Sequence, residues 1–242
     1  MYARSDTVLR AVTTMDTSNE QYRKEAPIFL HLAIGAQAAY IFIWQAILAL
    51  YALKSDSAPP PAWLMSTIAE FIALGIFFIC LKKTSLRFSD CGVLVTKKQL
   101  KSTLPESLAI SVASILAMVL VKLLLMKMRL PYAEYPFWDW HFHDDPTQFT
   151  YFFAAPYQEF LTRGVVQTIL VRLSGGGHIK RTILVVSLFF GTFHASYGIL
   201  IMVAAAAISF FLGLLYQRHR NIWGVTLIHF SVGFVGTCLG FI

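Results

Sequence analysis

Of the chain's 242 residues, 57% belong to the set AVILMFWYC and only 14% are charged, where soluble domains average about 25% charged. Mean hydropathy is +0.61, and several mostly apolar runs reach the ~17 residues that a bilayer-crossing helix needs, so an ordinary soluble domain is excluded in favour of an all-α polytopic membrane helix bundle. The formal net charge of +7 does not point to nucleic acid as a partner, because the basic residues cluster in loops between apolar runs, which is the usual topology signal. Three scattered cysteines, Cys80, Cys91 and Cys238, lack CxxC spacing and indicate neither a disulfide framework nor a zinc site.

Residues 1–27 read as a polar tail with four basic and four acidic side chains, and no apolar segment of a cleavable signal peptide is visible there. A short amphipathic helix is expected near Thr7–Met15. Residues 28–242 then form one transmembrane domain. The first span is expected from Ile28 to Leu53, followed by an extended turn at Pro59, Pro60 and Pro61. The second runs from Ala62 to Leu81, with Glu70 near its middle and Lys82 and Lys83 at its end. Residues 84–106, with Arg87, Lys97, Lys98 and Lys101, read as a basic amphipathic segment lying at the headgroups.

The third span covers Leu108 to Met126 and contains Lys122. The loop 131–148 carries Glu134, Asp139, Asp144 and Asp145 beside Tyr132, Tyr135, Phe137, Trp138 and Trp140, rings suited to an interfacial belt. The fourth span, Phe149 to Leu173, is stopped by Ser174-Gly175-Gly176-Gly177. The fifth is expected over Thr182 to Ser196, the sixth over Ile199 to Gln217, and the seventh from Ile222 onward. About seven spans result, six to eight being compatible with the pattern. The Lys/Arg distribution places the N-terminus in the cytoplasm of a cell (inner or plasma) membrane and the acidic-aromatic loop outside.

The costly residues converge in depth. The fourth span places charge where hydrocarbon should be: Glu159 and Arg163 are four residues apart, on one helix face, and can pair. A mid-membrane charge costs at least ~2.5 kcal/mol. Gln158 and Glu159 lie roughly 14–15 Å in from one edge, His194 about 18 Å and His229 about 11 Å in from the other, at ~1.5 Å per residue. In a core of ~30 Å they share the midplane with Glu70. A carboxylate and an imidazole on neighbouring helices can activate water, and a second imidazole can stabilise an oxyanion. The same residues admit other readings. Two histidines and a carboxylate can hold a metal, the Glu159–Arg163 pair can be a structural salt bridge, and intramembrane titratable groups can form a transporter's proton relay.

Other features read more simply. His141-Phe142-His143-Asp144-Asp145 could bind a metal at the surface or edge the site, but reads first as a solvated loop. The Ser174–Gly177 run lacks the GxxxxGK[ST] pattern of a phosphate loop. Ser196 and Ser231 lie near the histidines without a GxSxG context.

Three stretches in this order, Gln158-Glu159-Phe160-Leu161-Thr162-Arg163-Gly164, Phe190-Gly191-Thr192-Phe193-His194 and Ile222-Trp223-Gly224-Val225-Thr226-Leu227-Ile228-His229, resemble the EExxxR, FxxxH and HxxxN motifs of the CAAX-protease and bacteriocin-processing (CPBP) family of intramembrane proteases. The resemblance covers about Phe149 to Gly233, within a motif core of 149–242. It implies an intramembrane endopeptidase acting on a membrane-associated or secreted protein; the ligand set, without HExxH spacing, does not support a metalloprotease, and no metal or other cofactor is expected. His194 would be the water-activating imidazole, His229 the oxyanion donor, and Glu159, Arg163 and Phe190 the support. Two positions depart from the pattern. Gln158 stands where the family has its first glutamate, and an amide cannot take a proton at neutral pH; losing such a base costs about 10²–10⁴-fold in rate. Gly233 stands where the family has an asparagine. The resemblance therefore implies a protease impaired as written, with a non-proteolytic relative that binds or escorts membrane proteins as the alternative and a proton-coupled transporter as the second.

Overall fold

A computed structural model of the chain describes residues 41–51, 62–130, 133–138, 147–174 and 177–241 continuously, and single positions between 20 and 39. The expected helix near Thr7–Met15, the Pro59–Pro61 turn and the His141–Asp145 segment lie outside the described residues. Among the described residues every regular element is helical: α1 (Ile41–Tyr51), α2 (Ala62–Lys83), α3 (Lys97–Met128), α4 (Thr147–Glu159), a π-helical segment (Phe160–Gln167), α5 (Thr168–Leu173), α6 (Ile179–Thr192), α7 (Ile199–His219) and α8 (Ile222–Cys238). The chain is an all-α membrane bundle. It divides into two compact units, residues 1–87 with 169–182, and residues 88–168 with 183–242.

In the first unit, α2 extends for 22 residues, about 33 Å at the α-helical rise. It buries Phe77 and Cys80 and exposes Phe71, Phe78 and Ile79. Glu70 is half-buried at mid-helix. Beyond the helix, Glu25 from the end of the polar tail accepts hydrogen bonds from the Ser85 backbone N–H at 2.9 Å and the Ser85 hydroxyl at 3.0 Å.

The second unit is assembled mainly by α8 packing against α3 and α4. α3 and α7 are each long and apolar enough to cross a membrane. Their outward faces show why lipid is the required solvent: Leu108, Val112, Leu116 and Leu120 on α3, and Ile199, Leu200, Val203 and Phe211 on α7, are all exposed. In water that much contiguous apolar surface would drive association, whereas hydrocarbon covers it at no cost. Lys122, the charge expected inside the third span, is buried. Its ammonium donates to the Tyr135 carbonyl at 3.1 Å and lies 5.9 Å from the ring centroids of both Tyr135 and Phe241.

Two expected boundaries are corrected. Lys97, Lys98 and Lys101 belong to the first turns of α3 rather than to a separate headgroup segment: the Thr96 hydroxyl accepts from the Gln99 N–H at 3.1 Å and starts the helix there. Within the expected segment, Phe88–Cys91 form a short 3₁₀ turn. The fifth helix ends at Thr192, not near Ser196, because the chain tightens into 3₁₀ geometry over Ala195–Tyr197 and leaves it through Gly198 at φ 96°. At 14 residues, α6 is about 21 Å long, short of a full hydrocarbon crossing of ~30 Å.

The start of α8 is held by a polar junction that sets the height of everything on that helix. Asn221 caps α8, its Oδ1 accepting from the Trp223 N–H at 3.0 Å while its Nδ2 donates to the Thr103 hydroxyl at 2.7 Å. Arg220, in left-handed conformation at φ 49°, donates to the Asp90 carbonyl at 2.7 Å, and the Ile222 N–H donates to the Gly92 carbonyl at 3.0 Å. The Gln99 amide donates to the His219 carbonyl at 2.7 Å at the other side of the same turn.

Some helix contacts depend on a glycine, as expected where association relies on packing rather than on a hydrophobic drive. A Cβ on Gly191 of α6 would lie 2.8 Å from the Ala206 Cβ and 2.9 Å from the Met202 carbonyl of α7, whereas one on Gly75 of α2 meets nothing within 4 Å. Gly191→Val is therefore expected to lower the unfolding midpoint in detergent micelles, corresponding to about 1–3 kcal/mol of overpacking, while Gly75→Val leaves it within experimental error. Equal midpoints for the two variants would refute the close α6–α7 crossing.

Candidate active site

The site grows from the end of α4. Pro156 lies within the helix, and Glu159 is the last α-helical residue before the backbone widens into the π-helical turns of Phe160–Gln167. Such π segments are uncommon and concentrate at functional sites. Here the widening is accompanied by Gly164, where a Cβ would come within 2.8 Å of the Cys91 carbonyl, and by the Phe88 and Phe160 rings at 5.4 Å. The Thr168 hydroxyl donates to the Arg163 carbonyl at 3.0 Å across this stretch.

Glu159 and Arg163 are both completely buried. The expected pairing is present: the Arg163 Nε donates to Glu159 Oε2 at 3.0 Å. The guanidinium also donates through Nη2 to the Ser209 hydroxyl of α7 at 2.9 Å and stands 5.7 Å from the Phe190 ring centroid. Its Nη1 is buried without a hydrogen-bond partner among the described residues. The other carboxylate oxygen, Oε1, lies 2.8 Å from Nδ1 of His229 on α8. One carboxylate thus ties the motif helix to α8 and to its own following turn.

The two imidazoles are presented in the same way. Carboxylates and carbonyls only accept, so Nδ1 of His229 carries the hydrogen of its bond to Glu159. His194 lies 3.1 Å through Nδ1 from the Phe190 carbonyl, so there too Nδ1 is the donor. Both tautomers are inferred from the partners, and both leave Nε2 as the ring atom available to a substrate or to water. Phe190 joins the pair: its ring centroid is 4.8 Å from that of His194 and 5.5 Å from that of His229, edge-on. His194 sits in the turn after α6 rather than inside a span, with its backbone N–H bonded to the Gly191 carbonyl at 2.9 Å.

Of the residues expected from the sequence, Glu159, Arg163, His194, His229 and Phe190 are thus brought together by described contacts. Gln158 is half-buried in the last turn of α4, one residue before the pair. Glu70 is on α2, in the first unit. Two participants were not anticipated. Ser209 was signalled only as a polar residue in an otherwise apolar run. Tyr151 lies two turns before Gln158 on the same helix face, a spacing that does not set it apart from the neighbouring aromatics; its ring is edge-on to His229 at 6.0 Å and stacked on Phe230 at 6.0 Å.

The arrangement carries a stability cost that can be measured. Arg163→Met would leave the Glu159 carboxylate buried without its cation, and breaking such a pair costs about 3–5 kcal/mol. The unfolding midpoint of Arg163→Met in micelles should fall accordingly, and Glu159→Gln combined with Arg163→Met should recover part of the loss. A double variant less stable than Arg163→Met would contradict a charge-pair origin.

Residues 146–235 match the family model described as Rce1-like: type II CAAX prenyl endopeptidase Rce1-like. The match runs from the start of α4 to three residues before the end of α8 and includes every residue of the cluster. The chain matches none of the curated proteins and none of the solved structures. A peptidase family lends no support to the transporter or escort alternatives. Residues 146–235 are thus similar to a family of type II CAAX prenyl endopeptidases, in keeping with the CPBP resemblance of the motifs they carry.

Proposed function

We propose that this protein is an intramembrane endopeptidase that cleaves a membrane-associated or secreted protein with water activated by His194 and the oxyanion held by His229, and that its turnover is limited by Gln158, which stands at the position of the second base. The observation that carries this reading is the fully buried Glu159 bonded to His229 at 2.8 Å and to Arg163 at 3.0 Å, with His194 sharing the Phe190 ring. A bundle needing only stability would replace these groups with apolar ones, often at no loss. In the proposed topology the N-terminus is cytoplasmic and the membrane is the cell (inner or plasma) membrane, as the distribution of Lys and Arg indicates.

The chemistry follows from the ring atoms. Neutral His194 has its lone pair on Nε2 and takes a proton from water as the water oxygen attacks the scissile carbonyl carbon. The carbonyl π pair moves to oxygen. His229, held through Nδ1 by Glu159, offers an Nε2–H to that oxygen when the ring carries both protons. The C–N bond then breaks and His194 returns its proton to the leaving amine. Gln158 can orient the water through its amide but cannot relay a proton. This leaves His194 as the sole base, and the reaction slow.

The description of the matching family recommends a prenylated CAAX peptide as the first reporter. Purified protein in proteoliposomes should cleave it slowly or not measurably, Gln158→Glu should raise kcat by about 10²-fold or more, and adding His194→Ala to that variant should abolish the gain. Gln158→Glu that folds normally yet gains no cleavage of this reporter or of a co-expressed membrane protein panel would sink the proposal.

A further inference from the structure

Tyr151 and Gly233 face each other across the contact between α4 and α8. A Cβ built on Gly233 would run into Cε1, Cζ and Oη of Tyr151, so the phenol occupies the volume that any side chain at position 233 would need. The two helices run antiparallel here, pairing Tyr151 with Gly233 and Glu159 with His229. Gly233 is one turn beyond His229 on the same face of α8, and Tyr151 is two turns before Gln158 on the same face of α4. The phenol therefore reaches α8 within the turn from His229 to Gly233, its hydroxyl 3.4 Å from the His229 carbonyl and its ring 6.0 Å from the imidazole.

Its hydroxyl is poorly used in this state. The hydrogen bond it makes is a long one, 3.4 Å to the His229 backbone carbonyl, an oxygen that the α-helical ladder already pairs with the Gly233 N–H. That distance is beyond the usual range for an O–H donor, ~2.5–3.0 Å. The ring is nevertheless clamped, stacked on Phe230 at 24° interplanar angle and set edge-on to the His229 ring at 78°. A rigidly held, half-satisfied donor beside an imidazole is the geometry that oxyanion stabilisation requires, since donors must be fixed before charge develops.

We infer that Tyr151 donates the second hydrogen bond to the oxyanion at this site, its hydroxyl taking the place that a side chain at position 233 would hold. The inference rests on the peptidase reading. When the water oxygen bonds to the scissile carbon, the carbonyl π pair moves to oxygen and is held by the Tyr151 Oη–H and, when the His229 ring carries both protons, by its Nε2–H. The phenol keeps its proton throughout. When the C–N bond breaks, the pair returns to re-form the carbonyl and the amine takes its proton from His194. Gly233 and Tyr151 thus act as one substitution in two parts: the glycine, where the resemblance places an asparagine, opens the volume and the tyrosine fills it with a donor.

The test uses the full-length Gln158→Glu protein in proteoliposomes with a prenylated CAAX peptide as reporter. Tyr151→Phe, which keeps the ring and removes the donor, should lower kcat by about 10²-fold with KM within about twofold and an unchanged unfolding midpoint, the signature of a contact made only in the transition state. Gly233→Asn alone should be inactive because it collides with the phenol, whereas Tyr151→Ala with Gly233→Asn should regain at least about tenfold in kcat over Tyr151→Ala, since the restored amide can donate in its place. Tyr151→Phe with kcat within threefold of its parent, on the order of the scatter expected for a packing change, would reduce the tyrosine to a filler and overturn the inference while leaving the peptidase reading intact. A folded Gln158→Glu parent that cleaves nothing would remove the peptidase reading and this assignment with it.

Discussion

The Glu159 carboxylate is the constraint on which the rest of the second unit depends. It is completely buried in a bundle whose outer surface is apolar, and an unpaired charge there would be prohibitively costly. Two partners on opposite sides remove that cost: Arg163, one turn on, and His229, on α8. Each partner has its own support. Ser209 on α7 anchors the guanidinium, and the Asn221 cap with the Arg220 bond to Asp90 fixes where α8 begins. The chain of dependence runs from a loop cap, through the register of α8, to the one oxygen that orients an imidazole.

The π-helical stretch belongs to the same constraint. A regular α-helix continued from Glu159 would rotate every later residue relative to α7. The widened turns instead leave Arg163 facing Ser209 and Gln167 facing the Gly213 carbonyl, to which its amide donates at 2.9 Å. The cost of irregular backbone at membrane depth is met because each turn of it is buried against protein. Stability and chemistry therefore draw on the same residues.

Much of this was legible in the sequence, and particular residues show why. Long apolar runs reveal spans because lipid demands satisfied backbone and apolar side chains. The i, i+4 spacing of Glu159 and Arg163 reveals a pair because helix geometry admits little else. His194 and His229 stand out because imidazoles in apolar stretches are expensive. The missed features are those that depend on three-dimensional register. Nothing local distinguishes the π turns at Phe160–Gln167 from an α-helix, and the stop after Thr192 is made by 3₁₀ turns without proline. Lys97, Lys98 and Lys101 carry charge suited to headgroups, yet the Thr96 cap recruits them into α3. Tyr151 is one aromatic among many until Gly233 is placed opposite it.

The account's central claim is that a buried carboxylate fixes which nitrogen of His229 carries hydrogen. Solid-state ¹⁵N NMR of histidine-labelled protein in lipid, with His229 assigned by substitution, reads that directly. The account predicts a protonated Nδ1 whose resonance shifts in Glu159→Gln. An Nδ1 without a hydrogen, with the proton residing on Nε2 alone, would contradict it.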